Sequence, residues 1–366
     1  MAHIARLKST DDKKKAVIAS PPFHASTLPG SVPTLEAKLG FLMQPGAYPE
    51  TTTKVDAVET HMSWVLLTDT HAYKLKQPVR YAYLDFSTID ARRLDCEREV
   101  RLNRRLAPDV YHGVIPLTCD AEGRLSLGGE GEAVEWRVQM LRLPADRRLD
   151  HLLRNAAVGQ AEIERLARRL ARFYATAGVE ALAPDMYRQS LAGRIEDNLR
   201  ELASLEFGLD PERPERIARF QLAFLRRHAD WFDRRVSEGR IVEGHGDLRP
   251  EHVCLLDEPV VIDCLEFNRE FRILDPADEL GYLALECERQ HAPQVGRWLL
   301  QAYGEASGDV PPEARLHFYQ SCRATVRAKL AVWHLRDDGR HPPGTWRATA
   351  EAYLELAQRH ADAARV

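Results

Sequence analysis

Two short strings hold the residues best suited to chemistry: "HGDLRPEH", residues 245–252, and "PVVID", which ends at Asp263. Asp247 stands in a polar loop just ahead of an apolar strand, where its carboxylate can face and orient an incoming hydroxyl. Asp263 closes an apolar strand that would deliver a second carboxylate into a cleft. Hard carboxylate oxygens suit magnesium, which keeps several of its waters. One acid to orient a hydroxyl and another to hold a metal is the division of labour in phosphoryl transfer from a nucleotide. A lone loop aspartate is usually a turn residue. His245 and Gly246 before Asp247, and the strand soon after it, favour chemistry here.

The same chemistry needs a cation on the phosphates. "AYKLK" puts Lys74 and Lys76 on one face of a strand. Ala72, two residues before Lys74, matches the small-residue-then-lysine spacing of V-A-I-K, where the alanine leaves room for a base. Lys74 is preferred and Lys76 is its rival. The lysine needs an anchoring acid on the nearby helix "STIDARRLDCEREVRLNRRLAP". Glu99 borders the packed face through Leu102 and Leu106, whereas Glu97 borders polar positions, so Glu99 is the expected partner.

The elements that must position these groups follow from pattern. Residues 1–34 mix Lys, Ser and Pro without a period and are expected to form a mobile tail, with "DDKKK" a solvated charge run. Val55 to Leu67 reads as one strand, "TDTH" as a turn and "AYKLK" as the next strand. The helix that follows is expected to start at Ser87 in a capping box with Asp90, to bury Leu94, Leu102 and Leu106, and to end before Pro108. "YHGVIPLTCDAEGRLSLGG", turning at Glu122-Gly123, and "AVEWRVQMLRL" add strands, and a hinge falls near 140–145. Helices then dominate. "AEIERLARRLARFYATAG" aligns Ile163, Leu166, Leu170 and Phe173. "PERIARFQLAFLRRHADWFDRRV" reads as one helix with Ile217, Phe220, Phe224 and Trp231 inward. A short hairpin, "VCLLDEPVVIDCL", interrupts the helices, and no internal repeat is present. The expected class is α+β: a small antiparallel sheet lobe with one helix, 35–143, and a larger mainly helical lobe, 144–366. The second lobe carries the loop 245–252 and the hairpin 253–267. This is the element order of a protein-kinase-like fold.

Composition narrows the partners. The net charge of −4 gives no global pull toward nucleic acid or an anionic membrane. No apolar run approaches the roughly 20 residues of a membrane span, and the N-terminus has no apolar signal region. The six scattered cysteines read as reduced thiols, which points to the cytoplasm. Arg323 and Arg327 read as a solvated helix face, too little for nucleic-acid binding. The acids after Asp263 (Glu266, Glu270, Asp275, Asp278 and Glu279) lean toward a cationic acceptor. Oligomeric state has no signature.

"HGDLRPEH", "VVID" and "LDPADELGYL" resemble the aminoglycoside phosphotransferase family. Its motif is H-G-D, an Asn five residues after the Asp, an acid after an apolar strand, then D-P-x-x-D-L. Members of the family phosphorylate antibiotics, choline, sugars and glycated lysines. "ETHMSWV", "AYKLKQPV", "YLDFST", "RLNRRLAPDVYHGV" and "DCLEFN" are most similar to an uncharacterised bacterial branch, with the likeness running over residues 36–340. In that branch a P-loop ATP-binding domain often follows the kinase-like one. The resemblance implies an ATP-dependent phosphotransferase acting on a hydroxyl of a small molecule, such as an aminoglycoside or sugar, with ATP and Mg²⁺ or Mn²⁺ as cofactors. It implies Asp247, His245 and Arg249 in the catalytic loop, and Lys74, Lys76, Glu99 and Met140 around the nucleotide. Asp263, helped by His252, would hold the metal.

The chain departs from the family pattern in four places. No G-x-x-x-x-G-K-[ST] occurs, so the P-loop domain is expected to be missing. No G-x-G-x-x-G covers the phosphates, which leaves that task to the "ETHMS" turn. His252 replaces the asparagine, and neutral imidazole is a poor magnesium ligand that suits softer metals. Glu279 replaces the second aspartate of D-P-x-x-D, which would brace the catalytic loop. Two alternatives follow: a pseudokinase that binds nucleotide without turnover, and a metal-dependent phosphohydrolase built on His245, Asp247, His252 and Asp263. Retention of Lys74, Glu99, Asp247 and Asp263 together favours a working transferase.

Overall fold

The computed structural model describes residues 33–81, 84–336 and 344–365. The expected tail therefore lies outside the described residues except for Pro33 and Thr34. The chain forms two compact units. One runs to Pro144 and takes back the later segment Ile262–Asn268; the other holds Ala145–Val261 and the chain from Arg269 onward. Asp263, expected in the helical lobe, falls with the sheet in this division.

The first unit opens with helix α1 (Leu35–Leu42), capped by Thr34, whose Oγ1 accepts the Ala37 N–H at 3.2 Å. Strands β1 (Asp56–Glu59), β2 (Ser63–Leu67) and β3 (His71–Lys76) follow, then the short pair β4 (Arg80–Tyr81) and β5 (Leu84–Asp85). Helix α2 (Ile89–Asn103) leads into β6 (Tyr111–Cys119), β7 (Leu125–Leu127) and β8 (Glu132–Leu141). Six strands pair antiparallel in the order β1-β2-β3-β8-β6-β7. Val55 to Leu67 is a hairpin, not one strand. Thr60 turns it by accepting the Ser63 N–H on its Oγ1 at 3.0 Å while its own N–H donates to the Ser63 carbonyl at 2.8 Å. One sheet face buries Tyr73 and Leu75 against Leu42, Leu66, Leu117 and Val134. The alternation of β3 then sends Lys74 and Lys76 to the opposite face, where they meet α2.

Helix α2 differs from expectation at its start and along its face. Its cap is Thr88, extended at φ −102° and ψ 152°, whose side chain accepts the Ala91 N–H. Ser87 instead donates its N–H to Asp85 Oδ1 at 3.0 Å. Leu94 is 47 % exposed, because the packed face runs through Asp95, Cys96, Glu99, Val100, Leu102 and Asn103. That face is partly polar because it opposes two lysines.

The second unit contains α3 (Leu149–Arg154), α4 (Gln160–Thr176), α5 (Pro184–Leu202), α6 (Glu212–Arg227), α7 (Ala229–Ser237), strand β9 (Val242–Glu243), hairpin β10 (Val253–Cys254) and β11 (Val260–Val261), β12 (Ile273–Leu274), α8 (Pro276–Arg289), α9 (Pro293–Ser307), α10 (Glu313–Trp333) and α11 (Thr345–Ala363). Ile163, Leu166, Leu170 and Phe173 of α4 are all buried, as their spacing predicts. The expected long helix from Pro214 to Val236 is two helices. His228 leaves helical geometry at φ −112° and ψ 33°, and its ring packs on Phe224 and Trp231. Among the described residues, no helix is long and apolar enough to cross a membrane, and all six cysteines are free thiols.

Candidate active site

In the sheet unit the charges gather on Glu99, which is fully buried. Its Oε1 accepts a hydrogen bond from Lys74 Nζ at 2.9 Å and its Oε2 one from Lys76 Nζ at 2.7 Å. Lys74 Nζ also donates to Asp263 Oδ1 at 2.8 Å. Burial would lower the Lys74 pKa, but Asp263, then Glu99 and Glu266, outweigh it and hold the ammonium well above its usual value. Lys76 Nζ reaches Glu266 Oε1 at 2.5 Å and lies 2.7 Å from Asp95 Oδ2. Glu97, the rejected anchor, stands outside this group and pairs with Arg93.

Asp263 is held from several sides. Its backbone adopts φ 63°, the left-handed region that non-glycine residues rarely enter and that functional sites often impose. Its N–H donates to the Tyr111 hydroxyl at 3.2 Å, and the next N–H, of Cys264, donates to Asn103 Oδ1 at 2.9 Å. Arg105 Nη2 lies 3.3 Å from Cys264 Sγ. Met140 is buried on β8 opposite both Ala72 and Tyr111. It therefore neighbours the small residue expected to leave room for a base. The expected phosphate cover, the "ETHMS" turn, is the β1–β2 hairpin just described.

In the helical unit the loop 245–252 is braced by Glu279 from the first turn of α8. The Glu279 carboxylate accepts the backbone N–H of His245 at 3.0 Å, that of Gly246, and the Tyr174 hydroxyl at 2.7 Å. The longer side chain thus reaches the loop in the aspartate's stead. A Cβ at Gly244 would sit 2.8 Å from Glu279 Oε2 and 2.9 Å from Leu274 Cδ1, so a larger residue there would displace those side chains.

Asp247 receives Arg249 Nε at 3.0 Å and the Tyr282 hydroxyl at 3.2 Å. Its N–H donates to His245 Nδ1 at 3.3 Å, and His252 Nδ1 donates to its carbonyl oxygen at 2.8 Å. Arg249 continues to Glu251 Oε1 at 3.1 Å and lies 3.3 Å from His252 Nε2. Burial would raise the Asp247 pKa. Arg249, then His252, Arg327 and His245, outweigh it and bring the carboxyl down to about 2.

The structure overturns two expectations about charge. Arg323 and Arg327 are not a solvated face: Arg323 pairs with Asp278 at 2.7 Å and stacks on Tyr282, and Arg327 lies over Tyr353. The acids after Asp263 mostly serve the fold instead of facing an acceptor. Glu266 pairs with Lys76, Asp275 with the buried Arg235 at 2.5 Å, Asp278 with Arg323, and Glu279 with the loop. The sequence reading missed Asp95, Asn103, Tyr111, Glu251 and Tyr282. Asp95 was detectable one helical turn before Glu99 on the same face. The others had no local signal.

Among the described residues no group of three or more His, Cys, Asp or Glu side chains is placed to hold a metal. A magnesium–nucleotide asks for less, since one or two carboxylates suffice when phosphate oxygens and waters complete the shell. Asp263, a half-exposed carboxylate, fits that demand.

The fold is the protein-kinase-like fold of small-molecule kinases. It is shared with a choline/ethanolamine kinase family protein from Mesorhizobium loti, at a TM-score of 0.51 and 15% identity over 90% of this chain and 98% of that one. Choline kinase LicA from Streptococcus pneumoniae gives 0.53 and 14% over 85% and 94%. In sequence the chain is 33% identical over 279 residues to uncharacterized proteins of Mycobacterium tuberculosis and Mycobacterium bovis. That match takes in 75% of this chain but 54% of theirs, so the chain spans about half the length of the curated relatives it matches. No protein-family model matches.

Proposed function

We propose that the chain is an ATP-dependent phosphotransferase that moves the γ-phosphate to a hydroxyl of a small molecule. One observation carries this reading: Lys74 Nζ is bound at once by Glu99 and by Asp263. The residues proposed as phosphate-gripping cation, helix anchor and metal-holding acid are thus joined in one hydrogen-bonded group. The names of the two structures sharing the fold, choline/ethanolamine kinase and choline kinase, are in keeping with a small alcohol as acceptor.

In this reading Lys74 exchanges Asp263 for the α and β phosphates while Glu99 keeps the ammonium in place. Met140 and Ala72 border the base. Asp263 would hold Mg²⁺, which would supply neutralisation of phosphate charge. Asp247, with a pKa near 2, stays ionised and is a weak base. It acts by orienting the acceptor hydroxyl, which suits a loose transition state that needs little proton abstraction beforehand. His245 and Arg249 hold Asp247 in position. The phosphohydrolase alternative leaves Lys74 and Glu99 without a task. Six free thiols are in keeping with the cytoplasm.

The test is a thermal-shift titration with ATP and Mg²⁺ or Mn²⁺ on the wild type and Asp263→Ala, followed by an acceptor screen under the better metal. Metal-dependent stabilisation by ATP that Asp263→Ala abolishes is the expected result. Stabilisation by metal alone would favour the phosphohydrolase, and no response to nucleotide would end the kinase reading.

A further inference from the structure

Two lysines share one anchoring glutamate, and their surroundings differ. Lys74 is 14% exposed at its side chain, and its partner Asp263 is 46% exposed. Lys76 is 2% exposed and its partner Glu266 is 9% exposed. The first pair opens toward solvent and can be exchanged for a ligand. The second is sealed.

Glu266 follows Asp263 by three residues in the same returning segment. Lys76 grips that segment through Glu266 and grips α2 through Glu99 Oε2, with Asp95 Oδ2 beside it. If Lys74 releases Asp263 to take phosphate, Asp263 loses a charged contact while its left-handed backbone remains strained. A segment in that state keeps its geometry only if its surroundings over-determine it. The Tyr111 and Asn103 contacts are neutral hydrogen bonds to backbone N–H groups. The Lys76–Glu266 pair is ionic and buried, and nothing in the proposed reaction requires it to open.

We propose that Lys76 is a positioning residue: through Glu266 it holds the 262–268 segment on α2, so that Asp263 presents its carboxylate to the metal–nucleotide whether or not Lys74 is bound to it. This rests on the phosphotransferase reading and assigns Lys76 a different task from the phosphate contact the sequence left open. Lys76 reaches the metal only through the backbone between Glu266 and Asp263, in the manner of groups that orient a metal ligand from behind.

Glu266→Gln tests it, since it removes the charge while keeping the volume. Two measurements are paired. The first is amide hydrogen exchange at Asp263 and Cys264 in protein freed of metal and nucleotide by EDTA. The second is the Mg²⁺ midpoint for binding a fluorescent ATP analogue, alongside affinity for that analogue in EDTA. Faster exchange at those two amides is expected, with the Mg²⁺ midpoint raised about 10-fold or more and the metal-free affinity little changed. Lys76→Arg, which keeps the charge, is expected to fall between wild type and Glu266→Gln in both. Unchanged exchange and midpoint in a folded Glu266→Gln protein would overturn the proposal. So would a loss of metal-free affinity equal to the loss with metal, which would make this pair a nucleotide contact. Wild type that shows no Mg²⁺-dependent binding would instead overturn the phosphotransferase reading, and the exchange measurement would still decide whether the pair holds the segment.

Discussion

Arg249 Nε donates to the Asp247 carboxylate at 3.0 Å, and the same guanidinium reaches Glu251. This contact leads the interactions that hold Asp247 ionised near pKa 2. A carboxyl depressed on folding stabilises the protein above its unfolded pKa and loses that contribution as pH falls through its folded pKa. For Asp247 the window runs from about pH 4 down to about pH 2 and is worth about 2 kcal/mol. Asp247 protonation therefore sets no acid limb near neutrality. Arg249→Gln is expected to raise the Asp247 pKa, so that transferase activity begins to fall at a higher pH than in wild type. A pH–rate profile of both proteins checks this; coincident acid limbs would refute it.

Asp247→Asn keeps the size of the side chain but removes its charge. Loss of a group that orients the attacking hydroxyl is expected to lower kcat by about 10²-fold or more. ATP binding, which the proposed reading assigns to the sheet unit, should change little. Steady-state kinetics and calorimetric ATP binding on one preparation separate the two effects, and an equal loss in both would count against the assigned role.

Glu279 satisfies the His245 and Gly246 N–H groups and the Tyr174 hydroxyl at once. Glu279→Ala leaves these buried donors without their acceptor, each at about 1–3 kcal/mol. Gly244→Ala keeps the acceptor but drives a methyl into it, at about 1–3 kcal/mol. Urea unfolding should rank wild type above Gly244→Ala and Gly244→Ala above Glu279→Ala. A Glu279→Ala protein as stable as wild type would show that the loop needs no brace.

Lys74 and Lys76 should fail in different ways. Lys76→Met strips the buried cation from Glu99, Asp95 and Glu266, and removing one partner of a buried pair costs about 3–5 kcal/mol. Lys74→Met leaves Glu99 still neutralised by Lys76, so its melting temperature should drop less, while ATP affinity should drop more. Thermal melts and nucleotide titrations of both variants give the comparison. Identical behaviour would erase the distinction drawn between them.

Much of this arrangement was readable in advance because it rests on short-range periodicity. Period two put Lys74 and Lys76 on one face, and helical spacing put Glu99 rather than Glu97 inward. The choice between the lysines could not be made from the sequence, since a carboxylate has two oxygens and each lysine takes one. The helix cap was misplaced by one residue because Ser87 and Thr88 are chemically alike and only backbone geometry separates them. Leu94 was expected inside because apolar spacing assumes an apolar face, and this face opposes two cations. Glu266 was seen as an acid but given the wrong neighbour, because its partner lies 190 positions away.

The return of Ile262–Asn268 to the sheet unit bears on how the protein comes into being. Lys74 and Asp263 are separated by 189 positions, and closing so long a loop is slow compared with local pairing. During synthesis the sheet strands emerge well before the segment that completes their charge pairs. The sheet unit therefore cannot reach its native state until most of the helical unit has left the ribosome. A gene cut after Pro144 would yield a fragment whose Lys76 lacks Glu266 and whose Lys74 lacks Asp263, a late-maturing sheet dependent on the chain that follows it.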